Sequence, residues 1–221
     1  MSATVLVTGA NRGIGLEFCK LYQQRGDRVI GVCRHSSAEL KALGVDIIEG
    51  IDVTQDQSLA TLADKLGNQT LDILINNAGL LHSESLENMD WAQIARQFEV
   101  NAMGPLRVTH RLRGNLKSGS KLALITSRMG SIADNGSGGY YGYRMSKAAL
   151  NAAGKSLAID LKSRGIAVAL LHPGYVQTDM TGHTGDITPD VAAARLAQRI
   201  DQLQLETSGH FWHSNGEALS W

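Results

Sequence analysis

The stretch Thr8-Gly9-Ala10-Asn11-Arg12-Gly13-Ile14-Gly15 limits the folds open to this chain more than any other, because three glycines within seven residues separate two segments of different periodicity. Before it stands Thr4-Val5-Leu6-Val7-Thr8, a short apolar run rich in β-branched residues, which reads as a strand buried on both faces. After it come Leu16, Phe18, Cys19, Leu21 and Tyr22 at helical spacing. Such a turn lets backbone approach a ligand closely, so a pyrophosphate can rest on amide N–H groups at the helix N-terminus. A tight strand-to-helix turn with no ligand is the plainer alternative. The position between strand and helix favours dinucleotide binding.

The alternation continues. Arg28–Cys33 reads as a second strand, 45–50 as a third, 55–66 as a helix, Leu71–Ile75 as a fourth strand, 121–126 as a fifth and 166–171 as a sixth. A seventh is expected at 209–213. This predicts an α/β fold: one Rossmann-type, doubly wound parallel sheet of about seven strands with helices on both faces, spanning 1–221 as a single dinucleotide-binding domain. The length of 221 residues and 43% hydrophobic content suit one such domain. Ligands of these sheets lie beyond the carboxyl ends of the strands.

Several polar residues are expected at those ends. The second strand runs into Arg34, where an acid would hold both hydroxyls of an adenosine ribose; an arginine instead offers charge and paired donors to a 2′-phosphate, with Arg12 as a second cation. NADP(H) is therefore expected over NAD, a solvated loop arginine being the alternative. Asp52-Val53 follows the third strand, and Asp52 could accept from the adenine amino group or cap a helix. Asn76-Asn77-Ala78-Gly79 follows the fourth, with amides able to tie strand ends together and Gly79 leaving room for a cofactor, or else an Asx turn. A long helix is expected from about Met89 to Leu112, with Trp91, Ile94, Ala95, Phe98 and Ala102 on its apolar face. Asn101 lies inside it, where an asparagine needs either a backbone or a functional partner. Ser127 ends the fifth strand, and its hydroxyl could bond a substrate carbonyl or simply make a turn.

Tyr143 and Lys147 stand four residues apart, which brings phenol and ammonium to one face of a helix. A lysine charge near a phenol favours the phenolate and lowers its pKa, so the pair could pass a proton at working pH. Tyr140 and Tyr141 lack this partner, since Arg144 and Met145 occupy the corresponding places.

Taken in order, Thr8-Gly9-x-x-x-Gly13-x-Gly15, Asn76-Asn77-Ala78-Gly79, Asn101, Ser127, Tyr143-x-x-x-Lys147 and Pro173-Gly174 with Thr178 resemble the short-chain dehydrogenase/reductase family over nearly the whole chain. The ending Asn215–Trp221 is similar to its C-factor and sniffer-like carbonyl reductase branch. The resemblance implies that Asn101, Ser127, Tyr143 and Lys147 form a catalytic tetrad. It further implies that Gly9, Asn11, Arg12, Gly13, Ile14 and Gly15 hold the cofactor together with Arg34, Asp52, Val53, Asn77, Ala78 and Gly79, and that Pro173, Gly174, Val176 and Thr178 close over it. The implied activity is NADPH-dependent reduction of an aldehyde or ketone; oxidation of a secondary alcohol with NADP+, or an NADP(H)-binding signalling role, are the alternatives. Two departures stand out: extra residues Gly136–Gly139 between Ser127 and Tyr143, and a short passage from Thr178 to Pro189 where many relatives carry a longer lid. An open pocket walled by Leu80, Leu81, His82, Met129, Tyr175 and Met180 is expected.

The remaining composition narrows the partners. Lys and Arg balance Asp and Glu at 21 each without a dense basic run, so neither nucleic acid nor an anionic membrane is an expected partner. Cys19 and Cys33 lie in apolar segments and read as buried thiols suited to a cytoplasmic protein. His210 and His213 fall on opposite faces of a strand, so no metal is expected. A homodimer, through the helices around 95–112 and after Tyr143, is what the resemblance implies.

Overall fold

The computed structural model describes residues 2–221. Seven strands, β1 (Thr4–Thr8), β2 (Arg28–Cys33), β3 (Asp46–Glu49), β4 (Leu71–Asn76), β5 (Leu116–Ile125), β6 (Ala167–His172) and β7 (Phe211–His213), form one sheet in the order β3-β2-β1-β4-β5-β6-β7. Every pairing is parallel. The order reverses at β1 and β4, which makes a crevice at their carboxyl ends. The helices are α1 (Gly13–Gln24), α2 (Ala38–Ala42), α3 (Asp56–Leu66), α4 (Trp91–Phe98), α5 (Gly104–Arg111), α6 (Tyr141–Asp160) and α7 (Pro189–Asp201).

Strand alternation divides the core. On β1, Leu6 joins one apolar layer while Val5 and Val7 join the other; on β5, Leu122 and Leu124 oppose Ala123 and Ile125 in the same way. The first layer lies under α3, α5 and α6, the second under α1 and α7. Fully buried leucines such as Leu6, Leu74 and Leu124 contribute on the order of 2 kcal/mol each through removal of apolar surface from water. At the β7 edge the chain end turns back, with Leu219 N–H donating to the Phe211 carbonyl at 2.9 Å and His213 N–H to the Glu217 carbonyl at 2.8 Å, which satisfies an otherwise open strand.

Three elements differ from the sequence expectation. The long helix from 89 to 112 is interrupted by a π-helical segment, Glu99–Met103, between α4 and α5. Its apolar face also differs: Trp91 is 73% exposed and Ala95 is exposed, while Gln97 and Asn101 are fully buried beside Ile94. The wider π turn shifts the face by part of a turn, so a pattern read at constant 3.6 periodicity drifts off the core. β5 begins five residues earlier than expected, at Leu116, because its polar first half still pairs beside Leu71. On α7, Ala192, Ala193 and Ala197 are buried in place of Val191 and Ala194, small residues that let the helix lie close against α1.

Candidate active site

Polar residues from five elements converge at the carboxyl end of the sheet. Thr8 and Asn77 lock the ends of β1 and β4: the Thr8 hydroxyl oxygen accepts from Asn77 N–H (3.0 Å) and Ala78 N–H (3.2 Å), and Asn77 Nδ2 donates to the carbonyls of Thr8 (3.1 Å) and Gly9 (3.2 Å). Asn76 does not share this role. Its amide donates to the Thr109 hydroxyl at 3.1 Å and fastens β4 to α5 instead.

The glycine loop is held open by this lock. Gly9 has φ of +68°, and a side-chain carbon there would lie 2.9 Å from the Ala78 Cα; one at Gly15 would overlap the Gly9 carbonyl. Across the cleft, Gly13 faces the Thr178 methyl, 3.4 Å from where its own Cβ would be. Glycine at 9 and 15 is thus required by the close packing of the loop on itself and on Ala78, and the backbone it carries from Asn11 through Ile14 into the start of α1 offers N–H groups that fit a diphosphate. Arg12 leaves the loop outward and pairs with Asp179 at 3.0 Å, and His183 Nε2 stands 3.0 Å from the other oxygen of that carboxylate.

At the next strand ends, Arg34 is exposed and near Asp52. Burial works against the Asp52 charge, but hydrogen bonds from the Thr54 amide and hydroxyl, with Arg96 and Arg34, outweigh it and hold the carboxyl below its ordinary range. Val53 is buried against Gly104. Pro173, Gly174 and Val176 follow β6; the Pro173 carbonyl accepts from the Ser214 hydroxyl at 2.8 Å, and Val176 bridges to Ile187 in the short passage before α7.

Asn101, Ser127, Tyr143 and Lys147 come together on the other side of the cleft. The π turn presents Asn101 to the loop after β4, where its Oδ1 accepts from Leu80 N–H (2.9 Å) and its Nδ2 donates to the Leu80 carbonyl (2.8 Å) and the Ser146 hydroxyl (3.0 Å). A side-chain carbon at Gly79 would lie 3.3 Å from Asn101 Oδ1 and 3.7 Å from Lys147 Nζ, which places all three around one point. Ser127 accepts from Met129 N–H at 3.2 Å, and its hydroxyl faces the Tyr143 phenol closely enough to favour the phenolate. Lys147 Nζ donates to the Ile125 carbonyl at 2.9 Å, and burial pushes its pKa down to about 8.

One expectation is corrected. Lys147 does not lower the Tyr143 pKa here: burial pushes the phenol up to about 12, opposed by the Ser127 hydrogen bond alone. Desolvation exceeds the pull of an ammonium that is turned toward a strand carbonyl.

The loop over the extra glycines is organised by a residue that sequence reading used only to reject its neighbours. The Arg144 guanidinium donates to the carbonyls of Gly138 (3.3 Å) and Gly139 (3.1 Å) and to the Ser137 hydroxyl (2.8 Å). A second unforeseen feature lies beside Pro173, where the His172 and His213 rings meet edge to face with centroids 4.8 Å apart. Among the expected pocket-wall residues, Tyr175 and Met180 are exposed, whereas Leu80, Leu81, His82 and Met129 are half-buried.

This arrangement has relatives. The chain is 43% identical over 225 residues, covering 99% of it and all of the relative, to 1-hydroxy-2-glutathionyl-2-methyl-3-butene dehydrogenase of Rhodococcus sp. (strain AD45). It is 45% identical over 154 residues to the C-signal of Myxococcus xanthus, covering 68% of this chain and 93% of that one. The NADPH-bound carbonyl reductase from chicken fatty liver superposes with a TM-score of 0.89 at 28% identity, over 100% of this chain and 99% of that one. With the short chain dehydrogenase family model matching residues 3–187, from β1 through the loop that carries Thr178, this chain belongs to the short-chain dehydrogenase/reductase family of oxidoreductases.

Proposed function

We propose that the protein is an NADPH-dependent reductase that converts an aldehyde or ketone to an alcohol, with Tyr143 as the general acid. The observation that carries this reading is the convergence of Asn101, Ser127, Tyr143 and Lys147 on one side of the cleft, where the buried Tyr143 phenol, protonated at neutral pH, has a proton to give. Oxidation in the same site would require the phenolate.

Bound at the cradle, the nicotinamide cofactor supplies the hydride. Ser127 holds the substrate oxygen beside the Tyr143 hydroxyl, so the proton passes from Tyr143 to the oxygen as charge develops there. Lys147, still mostly charged at neutral pH with its pKa lowered to about 8, holds the nicotinamide ribose and returns a proton to Tyr143. Asn101 anchors the water that continues this relay to solvent. Gly9, Asn11, Gly13, Ile14 and Gly15 receive the diphosphate, Asn77, Ala78 and Gly79 line the cleft floor, and Pro173, Gly174, Val176 and Thr178 close its far wall. Asp52 and Val53 receive the adenine.

The choice of NADPH over NADH is supported by Arg34, which follows β2, is exposed and without an ion-pair partner among the described residues, and so is free to offer charge and paired donors to a 2′-phosphate. The NADPH bound by the chicken carbonyl reductase supports the same choice. A small-molecule substrate fits the half-buried, mostly apolar wall of Leu80, Leu81 and Met129. We place the protein in the cytoplasm, where two buried free thiols persist, as a homodimer with no nucleic acid or membrane partner; among the described residues no helix is long and apolar enough to cross a membrane.

A second reading, oxidation of an alcohol with NADP+, is favoured by the Rhodococcus relative, which is named as a dehydrogenase. The C-signal relative favours a signalling role, but a binder has no need of a hydroxyl pair such as Ser127 and Tyr143. NADPH consumption against a panel of aldehydes, ketones and quinones decides: turnover of at least one carbonyl is expected. Reduction of NADP+ by alcohols with no carbonyl turnover would replace this reading with the second.

A further inference from the structure

We propose that Glu84 is a positioning residue for catalysis, whose buried carboxylate sets the first turn of α6 and with it the place of the Tyr143 hydroxyl; this rests on the reading of Tyr143 as the proton donor. Glu84 is 2% exposed and sits in the loop between β4 and α4. A carboxylate so deeply buried is costly unless donors surround it, and they do. Oε2 accepts from Gly142 N–H at 3.1 Å, Oε1 accepts from Gln97 Nε2 at 2.6 Å, and His82 Nδ1 stands 3.4 Å from Oε1. The Glu84 carbonyl also accepts from Tyr140 N–H at 2.8 Å.

These contacts meet at a helix start that lacks the usual device. No side chain of the N-cap residue Tyr140 caps α6, and Tyr140 itself is left-handed at φ of 52°, a strained conformation for a non-glycine residue. Glu84 supplies both missing elements: an acceptor for an orphan N–H and a negative charge at the positive end of a 20-residue helix. The fit is close, since a side-chain carbon at Gly142 would overlap Gln97 Nε2 and lie 3.1 Å from Glu84 Oε1. Gln97 is itself fixed, its Oε1 accepting from His82 N–H at 3.0 Å. Tyr143 follows Gly142 directly, so the N–H that Glu84 grips belongs to the residue just before the proposed proton donor.

The amide–carboxylate pair allows a reciprocal test. Glu84→Gln removes one hydrogen bond whichever way the new amide turns, because Gly142 and Gln97 both donate to this position. It should lower kcat by about ten- to a hundredfold, as for a reacting group displaced by a fraction of an ångström, while the NADPH dissociation constant stays within about twofold. Amide exchange across residues 140–143 of the cofactor-free protein should rise. Adding Gln97→Glu restores a donor facing an acceptor and should restore both kcat and exchange protection. In a Tyr143→Phe background, Glu84→Gln should cost nothing more, since the group it positions is gone.

A folded Glu84→Gln with unchanged kcat overturns the proposal, as does a folded double exchange that stays slow, or a loss that adds in full to that of Tyr143→Phe. If neither variant folds, the pair belongs to the fold and the proposal falls. Full activity in Tyr143→Phe alone would instead remove the proton-donor reading beneath it.

Discussion

The Lys147 ammonium lies 5.7 Å from the centre of the Tyr143 ring yet gives its hydrogen bond to the Ile125 carbonyl, 2.9 Å away. The two groups thus share one buried site without pairing, and burial drives their pKa values apart: the phenol up to about 12, the ammonium down to about 8. Each is held toward its neutral form.

Lys147→Met should therefore stabilise the protein at neutral pH while slowing it. A lysine whose folded pKa falls below 10.5 binds fewer protons folded than unfolded between about pH 8 and 10.5, so its penalty is complete below 8 and vanishes as pH rises to 10.5. Removing it should raise stability at pH 7 by on the order of 1–3 kcal/mol, less what the lost Ile125 bond contributed, and the gap to wild type should close across that window. Denaturant titrations at pH 7 and 10 read both. A wild type that is more stable than the variant at pH 7 contradicts the assignment.

His172 offers the opposite limb. Its ring is pushed down to about 3 by burial first, with His213, Arg128 and Lys147 adding repulsion, and its Nδ1 is buried without a partner. The unfolded chain takes up a proton near 6.5 that the folded one refuses, so stability is lost as pH falls from about 6.5 toward 3. His172→Asn should flatten that acid limb in melts recorded from pH 7 to 4. A limb as steep as wild type would show that carboxylates alone cause it.

Cofactor choice should respond to Arg34 and to the partner of Arg12. Arg34→Asp should weaken NADPH relative to NADH by roughly 1–2 kcal/mol, the worth of a charge-assisted pair. Asp179→Asn should do the reverse. It frees Arg12 from an ion pair that is more than half exposed and worth at most about 1 kcal/mol, so NADPH should tighten by up to about fivefold with NADH unaffected. Fluorescence titration of both cofactors separates the cases; better NADH than NADPH binding in the wild type would end the argument for a 2′-phosphate site.

Assembly should follow one stripe of α6. Met145, Ala152 and Ile159 recur every seven residues and are all exposed, with Met103 and Leu106 exposed at the start of α5. Light scattering at micromolar concentration should give a two-fold dimer, and Ile159→Lys with Met145→Lys should give a monomer that stays folded. A monomeric wild type would leave the stripe without a partner.

Much of this was legible because it is local. The glycine loop, the strand ends at Arg34, Asn77 and Ser127, and the Tyr143–Lys147 spacing each lie within a few residues of the pattern that reveals them. The π turn itself was not, since Glu99–Met103 holds no glycine or proline; the signals were Asn101 within it, which takes both Leu80 backbone groups as partners, and Gly104-Pro105 directly after it, where a helix restarts. Trp91 misled because an aromatic at helical spacing ordinarily faces a core, whereas here it is 73% exposed. Glu84 carries no local signal at all: its partners are 13 and 58 residues away.

The proton itself decides the central reading. Tyr143→Phe removes one oxygen from a residue that is 8% exposed, keeps the ring in its packing, and should leave fold and NADPH binding nearly intact. If the hydroxyl is the acid, turnover should fall by about a hundred- to ten-thousandfold while the cofactor dissociation constant barely moves. Ser127→Ala should give a smaller loss and push the remaining ionisation higher, because its hydrogen bond is what lowers the phenol pKa. The matched controls sit in the same turn. Tyr140 is 37% exposed at the N-cap and Tyr141 is half-buried, and neither faces a lysine one turn on, so Tyr140→Phe and Tyr141→Phe should cost little. A Tyr143→Phe enzyme that keeps most of its carbonyl turnover, beside a Tyr140→Phe or Tyr141→Phe enzyme that loses it, would move the acid to another residue of this turn and take the register of the site with it.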